Sequence, residues 1–248
     1  MLAAMCRLYT DLTSHESIID LVQGFDEFGP TYDATAPAKP WAIRTTDMGR
    51  VIRRRDDGGW RVDQMRWGLV PYWSKDLKIG VQCVNARSDT IADKPAFREA
   101  FKRRRCLVPA SSWVEWREEI VEGEKKPNKQ PYRIELGNGA PILFAGLWEG
   151  WRPKNGDGTN GEPVLSYAIA TCDPSPYAAQ IHDRMPVLIE PENAEAWCAA
   201  PAAEALQLLR GYTGPLVARP IHRDIAVAKK ATAASIEAIG PAVAQVSA

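Results

Sequence analysis

Four residues of this 248-residue chain are candidates for chemistry by type and setting: Cys6, Asn85, Glu115 and His182. Cys6 directly follows Met5. If Cys6 became the first residue, by initiation at Met5 and loss of that methionine, an α-amine and a thiol would share one residue. Such a pair captures an aldehyde: the amine forms an imine, the thiol adds to the imine carbon, and a thiazolidine ring closes. An α-amine titrates near pH ~8, so part of it is unprotonated at neutral pH. The competing reading of Cys6 is a small buried hydrophobe at the start of a first strand.

Glu115 stands among Trp113, Val114 and Trp116. A carboxyl there is either paired or pushed up in pKa by desolvation, which suits proton transfer near neutral pH. The alternative is an edge-strand glutamate with its head in water. His182 has Asp183 and Arg184 beside it, a setting that tunes an imidazole. Asn85 ends an apolar run at 81–84. The residues alone support a cysteine enzyme with a Cys-His-Glu arrangement. No spacing rule joins positions so far apart.

The elements that must bring them together are mostly strands. Apolar alternation predicts strands at 7–9, 41–45, 51–55, 60–68, 81–84, 105–109, 113–117, 132–136, 144–150, 164–171, 186–189 and 217–221. Asp56-Asp57-Gly58-Gly59 is a hairpin turn. Helices are expected from the Ser14 N-cap through Val22, with Gly24 ending the helix, and over 93–103, 174–180, 191–199 and 202–209. Residues 29–41, 67–76, 118–130 and 152–163 read as loops. This pattern predicts an α+β fold: one domain of mostly antiparallel strands and hairpins with several peripheral helices. The alanine-rich residues 226–248 read as a loosely held tail.

Hydrophobic residues make up 45% of the chain and charged residues 25%, as in ordinary soluble proteins. No run approaches the ~18 apolar residues of a membrane span, and Leu2-Ala3-Ala4 is too short for a signal sequence. A cytoplasmic protein with no membrane partner is expected. The five cysteines lack a C-x-x-C pair and the three histidines are scattered. No metal, cofactor or disulfide framework is expected. Basic and acidic residues both number 31, which counts mildly against a general nucleic-acid binder. The basic residues nevertheless cluster, at Arg50, Arg53, Arg54 and Arg55 and again at Arg98 and 102–105. Each cluster is either a solvated face or a local basic groove.

Six motifs occur in order: Met5-Cys6, T-Y-D-A-T-A-P at 31–37, W-G-L-V-P-Y-W at 67–73, V-N-A-R-S-D-T at 84–90, S-S-W-V-E-W at 111–116 and I-H-D-R-M-P at 181–186. In them the chain resembles the SRAP family (SOS-response-associated peptidase, or abasic-site-processing, proteins), from Met5 to about Ile221. The resemblance implies a catalytic domain over 5–225, with residues 1–4 absent from or removed from the working protein. It implies a monomer that crosslinks covalently to abasic sites in single-stranded DNA during the DNA-damage response, with possible lyase and self-cleaving peptidase activities. Cys6 would be the nucleophile, Asn85 would bind around the amine and sugar, Glu115 would shuttle the amine's proton, and His182 would serve the sugar oxygen. Trp73 and Trp116 would stack on bases, and Arg87 and Arg184 would hold phosphates. Arg7 stands where the family commonly has glycine before its arginine, and it is the candidate for that arginine's DNA contact. Two alternatives are a cysteine peptidase or hydrolase using Cys6, His182 and Glu115, and a DNA binder without chemistry.

Overall fold

The computed structural model describes residues 6–22, 25–29, 39–120, 127–154 and 160–246. Met5, Gly24 and the motif at 31–37 lie outside the described residues. The first elements are β1 (Leu8–Thr10), α1 (His15–Leu21), β2 (Phe25–Phe28), β3 (Ile43–Arg44), β4 (Met48–Arg54) and β5 (Trp60–Trp67). Ser14 caps α1 by accepting a hydrogen bond from Ser17 N at 3.1 Å, as expected of a serine before a helix. In the β4–β5 turn, Gly58 takes a φ of 92°, which a side chain would resist.

Then come β6 (Asn85–Arg87), α2 (Arg98–Arg103), β7 (Arg105–Ala110), β8 (Ser112–Glu119), β9 (Asn128–Leu136), β10 (Ile142–Trp151) and β11 (Val164–Cys172). The last elements are β12 (Met185–Pro186), α3 (Ala194–Ala199), α4 (Ala202–Leu206) and β13 (Leu216–Pro220).

Strands β11, β10, β7, β4 and β5 follow one another in antiparallel pairs, and β5 then pairs parallel with β11 through Ser166↔Arg66 and Tyr167↔Trp67. The sheet therefore closes on itself as a barrel. A second, antiparallel sheet in the order β13-β9-β8-β1-β3 packs on it. Tyr9 of β1 sets its ring edge-on to Trp67 at 5.2 Å and to Phe144 at 5.9 Å, and Trp113 of β8 meets Phe144 at 6.2 Å. The other face of this sheet carries a separate apolar cluster with Leu8, Val114, Ile221, Ile225 and Ile236. Side chains alternate along a strand. Trp113 and Glu115 therefore face the barrel, and Val114 and Trp116 face away.

The structure corrects several expectations. Residues 81–84 are not a strand: Leu77–Gln82 form a 3-10 helix capped by Asp76, leaving Val81 44% exposed. The strand is β6, starting at Asn85. The 93–103 helix shrinks to α2, preceded by turns over 93–97 in which Arg98 N donates to Lys94 O at 2.9 Å. The short helix expected over 174–180 shrinks to a 3-10 turn at Ala178–Gln180, whereas 191–199 is helical throughout, a 3-10 turn at Pro191–Asn193 running into α3. Arg50 lies on no solvated face. It is 3% exposed and forks onto buried Asp11 at 2.5 and 2.7 Å.

The tail is not loosely held through its described residues. Ile236 is buried, Ala238 bridges Ile221, and Val243 N donates to Ala218 O at 2.9 Å. Tyr177 Oη accepts from Ala218 N and donates to Val243 O, while Gln180 Nε2 donates to Ala244 O. The segment thus grips the turn that leads into His182. Deleting residues 229–248 is expected to cost about 2–4 kcal/mol, from one buried isoleucine and a few hydrogen bonds. Urea unfolding would report this as a lower midpoint, and an unchanged midpoint would contradict the docking.

Candidate active site

Cys6 sits just before β1, fully buried, with a φ of 23°. That value lies at the edge of the left-handed region, which a side chain disfavours. Two residues from different sheets hold its backbone there. Cys6 N donates to Glu115 Oε1 at 2.8 Å, and Asn85 Nδ2 donates to Cys6 O at 3.1 Å. Glu115 reaches inward from β8. Asn85 heads β6, whose parallel pairing with Ile169 of β11 fixes its height beside the barrel.

His182 follows the turn at Ala178–Gln180, with its N–H donating to Ala178 O at 3.1 Å. Its Nε2 lies 3.9 Å from Glu115 Oε2, a buried oxygen with no hydrogen-bond partner. That gap is too long for a hydrogen bond and short enough to close by a small side-chain movement. On the other ring edge, Nδ1 accepts from Arg184 N at 3.2 Å, and Asp183 Oδ1 stands 2.9 Å away. The Arg184 amide suits a neutral ring with its proton on Nε2, whereas Asp183 suits a protonated Nδ1. The structure thus brings Cys6, Asn85, Glu115 and His182 together.

Burial controls the electrostatics. It raises the Glu115 carboxyl from an ordinary 4.5 to about 8; the Cys6 N–H pulls it down and Asp183 adds a smaller upward push. Burial also lowers the His182 imidazole, partly offset by Asp183. The Cys6 thiol is held well above its usual range by burial and then by Glu115. At neutral pH the site therefore holds a carboxylic acid, a neutral imidazole and a thiol. Asp183→Asn is expected to lower the pKa of both His182 and Glu115, read by NMR titration. Unmoved values would show that Asp183 does not act on the pair.

The other residues singled out from the sequence are more dispersed. Arg7 is exposed. Trp73 is 48% exposed, on a loop tied down by Trp151 Nε1 donating to Ser74 O at 2.8 Å. Arg87, exposed at the end of β6, forks onto Asp89 at 3.1 and 2.7 Å. Arg184 is 8% exposed and holds Asp173 at 2.6 Å and Thr171 O at 2.9 Å. Trp116 packs on the second apolar cluster, on the face of β8 opposite Glu115. Sequence reasoning missed Tyr9, whose hydroxyl pairs with that of Tyr167 at 2.7 Å and anchors the strand that follows Cys6. Nothing marks Tyr9 beyond its place in a strand.

Among the described residues, no group of three or more His, Cys, Asp or Glu could hold a metal ion, and no helix is long and apolar enough to cross a membrane.

A closed barrel with a second sheet laid on it, and a cysteine backbone clamped between carboxyl and amide at their junction, define the class of protein. The chain belongs to the SOS response associated peptidase (SRAP) family, whose profile matches residues 5–228. It is 35% identical to the abasic site processing protein YoaM of Bacillus subtilis over 198 residues, 78% of each chain. It is 30% identical to the abasic site processing protein HMCES of Xenopus tropicalis over 206 residues, 74% of this chain and 59% of that protein. A crystal structure of a protein from Bacteroides thetaiotaomicron superposes with a TM-score of 0.79 at 25% identity, covering 94% of this chain and 99% of that one.

Proposed function

We propose that this protein processes abasic sites in single-stranded DNA by covalent capture through Cys6, once the residues before it have gone. The observation that carries this reading is Cys6 N donating to Glu115 Oε1 at 2.8 Å, against a carboxyl poised at about 8. An α-amine also titrates near pH ~8. A proton shared between these two groups moves at little cost in either direction, as general acid–base work requires.

The steps follow from that match. The unprotonated fraction of the Cys6 amine adds to the aldehyde carbon of the ring-opened abasic sugar, one amine proton passing to the former aldehyde oxygen while Glu115 keeps its own. The resulting hydroxyl leaves as water with the proton given by Glu115, whose carboxylate then takes the remaining N–H proton, and an imine remains. Cys6 Sγ then bonds to the imine carbon while its proton passes to the nitrogen, closing the thiazolidine. Asn85 holds the Cys6 carbonyl throughout. His182 donates and accepts a proton at the sugar oxygen during ring opening. Arg7, Trp73 and Arg87 are exposed and serve as the DNA contacts of this reading.

The alternative hydrolase needs a thiolate, and the environment of Cys6 favours the thiol. Amine chemistry needs no thiolate until the ring closes. The Cys6 φ of 23° supports removal of the preceding residues, because hydrolysing the Met5–Cys6 bond releases that backbone restraint.

The test is incubation of the chain beginning at Cys6 with single-stranded DNA containing an abasic site, without reductant, followed by heating and a denaturing gel. An adduct lost in Cys6→Ser is expected. No adduct, or one that survives the serine substitution, would overturn the proposal.

A further inference from the structure

The stretch that carries His182 leaves the barrel at Cys172 of β11 and returns at Met185 of β12, and these two residues pair with each other. Arg184 ties its base, donating to Asp173 at 2.6 Å and to Thr171 O at 2.9 Å. Between those ends the chain folds on itself. Ala179 N donates to Ser175 O at 2.9 Å, and Ala178 O accepts from Ile181 N at 2.9 Å and from His182 N at 3.1 Å. These interlocked bonds make the turn one unit, so a contact at its far side sets where the imidazole stands.

That contact is made by Tyr177, whose side chain is buried. Strand β13 is the last of its sheet, and the C-terminal segment runs along its free edge. Ile239 N donates to Pro220 O at 2.9 Å, Val243 N to Ala218 O at 2.9 Å, and Gln245 Nε2 to Leu216 O at 3.0 Å. In a hydrogen-bonded antiparallel pair, facing residues exchange both of their N–H···O=C bonds. Val243 and Ala218 make one of the two directly. The other is interrupted by the tyrosine: Ala218 N donates to Tyr177 Oη at 2.9 Å, and Tyr177 Oη donates to Val243 O at 3.1 Å.

The hydroxyl is therefore spliced into the ladder between β13 and the C-terminal segment, using its one proton and a lone pair. Without it, the buried Ala218 N–H loses its acceptor, a costly state that the ladder relieves by closing on itself and leaving the ring outside. Gln180, on the same turn, adds a second tie by donating to Ala244 O at 3.2 Å. The family profile ends at residue 228, so both partners of this turn, Val243 and Ala244, lie beyond it.

We propose that Tyr177 is a positioning residue for His182, and that the docked C-terminal segment, acting through the tyrosine hydroxyl, holds the imidazole in place against Glu115. The inference rests on the reading of His182 as the group that serves the sugar oxygen, and its first readout needs no DNA.

The test compares the parent with Tyr177→Phe, with deletion of residues 241–248 and with Ile236→Ala. In the full chain, the His182 ring is titrated by NMR, its resonances assigned by their loss in His182→Asn. Tyr177→Phe and the deletion are each expected to make the imidazole titrate higher than in the parent, because the burial that holds it down is relieved. Glu115, Asp183 and Lys129, the charged groups around the ring, are retained in both. In the chain beginning at Cys6, the same two changes are expected to slow adduct formation with abasic single-stranded DNA by about 10- to 10²-fold, the upper figure being the cost of a 1 Å misplacement. The half-saturating DNA concentration should not move. The combined variant should be no slower than the slower of the two, because both changes break one contact.

Ile236→Ala separates positioning from stability. It empties a site in the other apolar cluster and should lower the urea midpoint while leaving the His182 titration in place. An unmoved titration in both Tyr177→Phe and the deletion, or an equal shift in Ile236→Ala, would overturn the proposal. If the parent forms no adduct, the catalytic reading of His182 falls, and the titration still decides whether Tyr177 and the C-terminal segment hold the ring.

Discussion

Replacing Glu115 by glutamine is expected to slow adduct formation about 10²–10⁴-fold, the range for loss of a positioned acid–base group, while making the folded protein more stable at alkaline pH. The stability half of this result follows from linkage. The Glu115 carboxyl is raised from 4.5 to about 8 in the fold, so the folded state keeps a proton that the unfolded state releases. Its contribution to stability is fully present below pH ~4.5 and is lost as the pH rises through about 8. That span is worth ~5 kcal/mol as an upper bound.

Glutamine stays neutral and can still accept from Cys6 N. In the chain that retains residue 5, Glu115→Gln is therefore expected to be more stable than the parent by a few kcal/mol at pH 9, with little difference at pH 4. In the chain beginning at Cys6, the ammonium stands beside the carboxylate and the gain should shrink. Urea unfolding of both chains across this pH range checks the sign. A variant less stable than the parent at pH 9 would show that Glu115 is not the buried, proton-holding group described above.

The second large effect concerns the start of the chain. With residue 5 retained, Cys6 N is an amide that has given its lone pair to resonance and cannot form an imine with an aldehyde. Its hydrogen bond to Glu115 Oε1 persists unchanged in geometry. Adduct formation is expected to fall below detection, a loss of at least about 10⁴-fold, the top of the range for a single proton-transfer group. The hydrolase alternative gives the opposite expectation, because its thiol is the same in both chains. Comparing the two forms, each verified by intact mass, on one abasic oligonucleotide separates them. Equal rates would remove the amine from the mechanism.

Much of the fold was legible because strand alternation is a local signal. The β4–β5 hairpin, with its Asp-Asp-Gly-Gly turn, and strands β7 to β11 lie where period-two patterning places them. The failures have local causes as well. Asp76 caps a 3-10 helix whose apolar residues mimic a strand, and turns over 93–97 precede a helix whose composition alone looks continuous. The tail misled for a different reason. Its alanines carry little pattern, and what holds it is Ile236 in a remote cluster and backbone bonds to β13.

The four site residues were recognisable by type, and alternation in β8 already separates Glu115 from Trp116. That Asn85 and Glu115 would grip one cysteine backbone from two sheets was not legible, because it depends on the closure of the barrel and the docking of β1 against it. The same limit applies to the arginines. Arg50 and Arg53 read alike in the chain, yet one is sealed against Asp11 and the other lies part-buried over the Trp148 ring.

The most direct measurement is the intact mass of the product formed between the chain beginning at Cys6 and an oligonucleotide with one abasic site, taken after heating and without reductant. The expected mass is the sum of the two reactants less one water, absent for Cys6→Ser and for the chain retaining residue 5. A product of that mass from the chain retaining residue 5, or no heat-stable product from the chain beginning at Cys6, would contradict capture by the Cys6 amine and thiol.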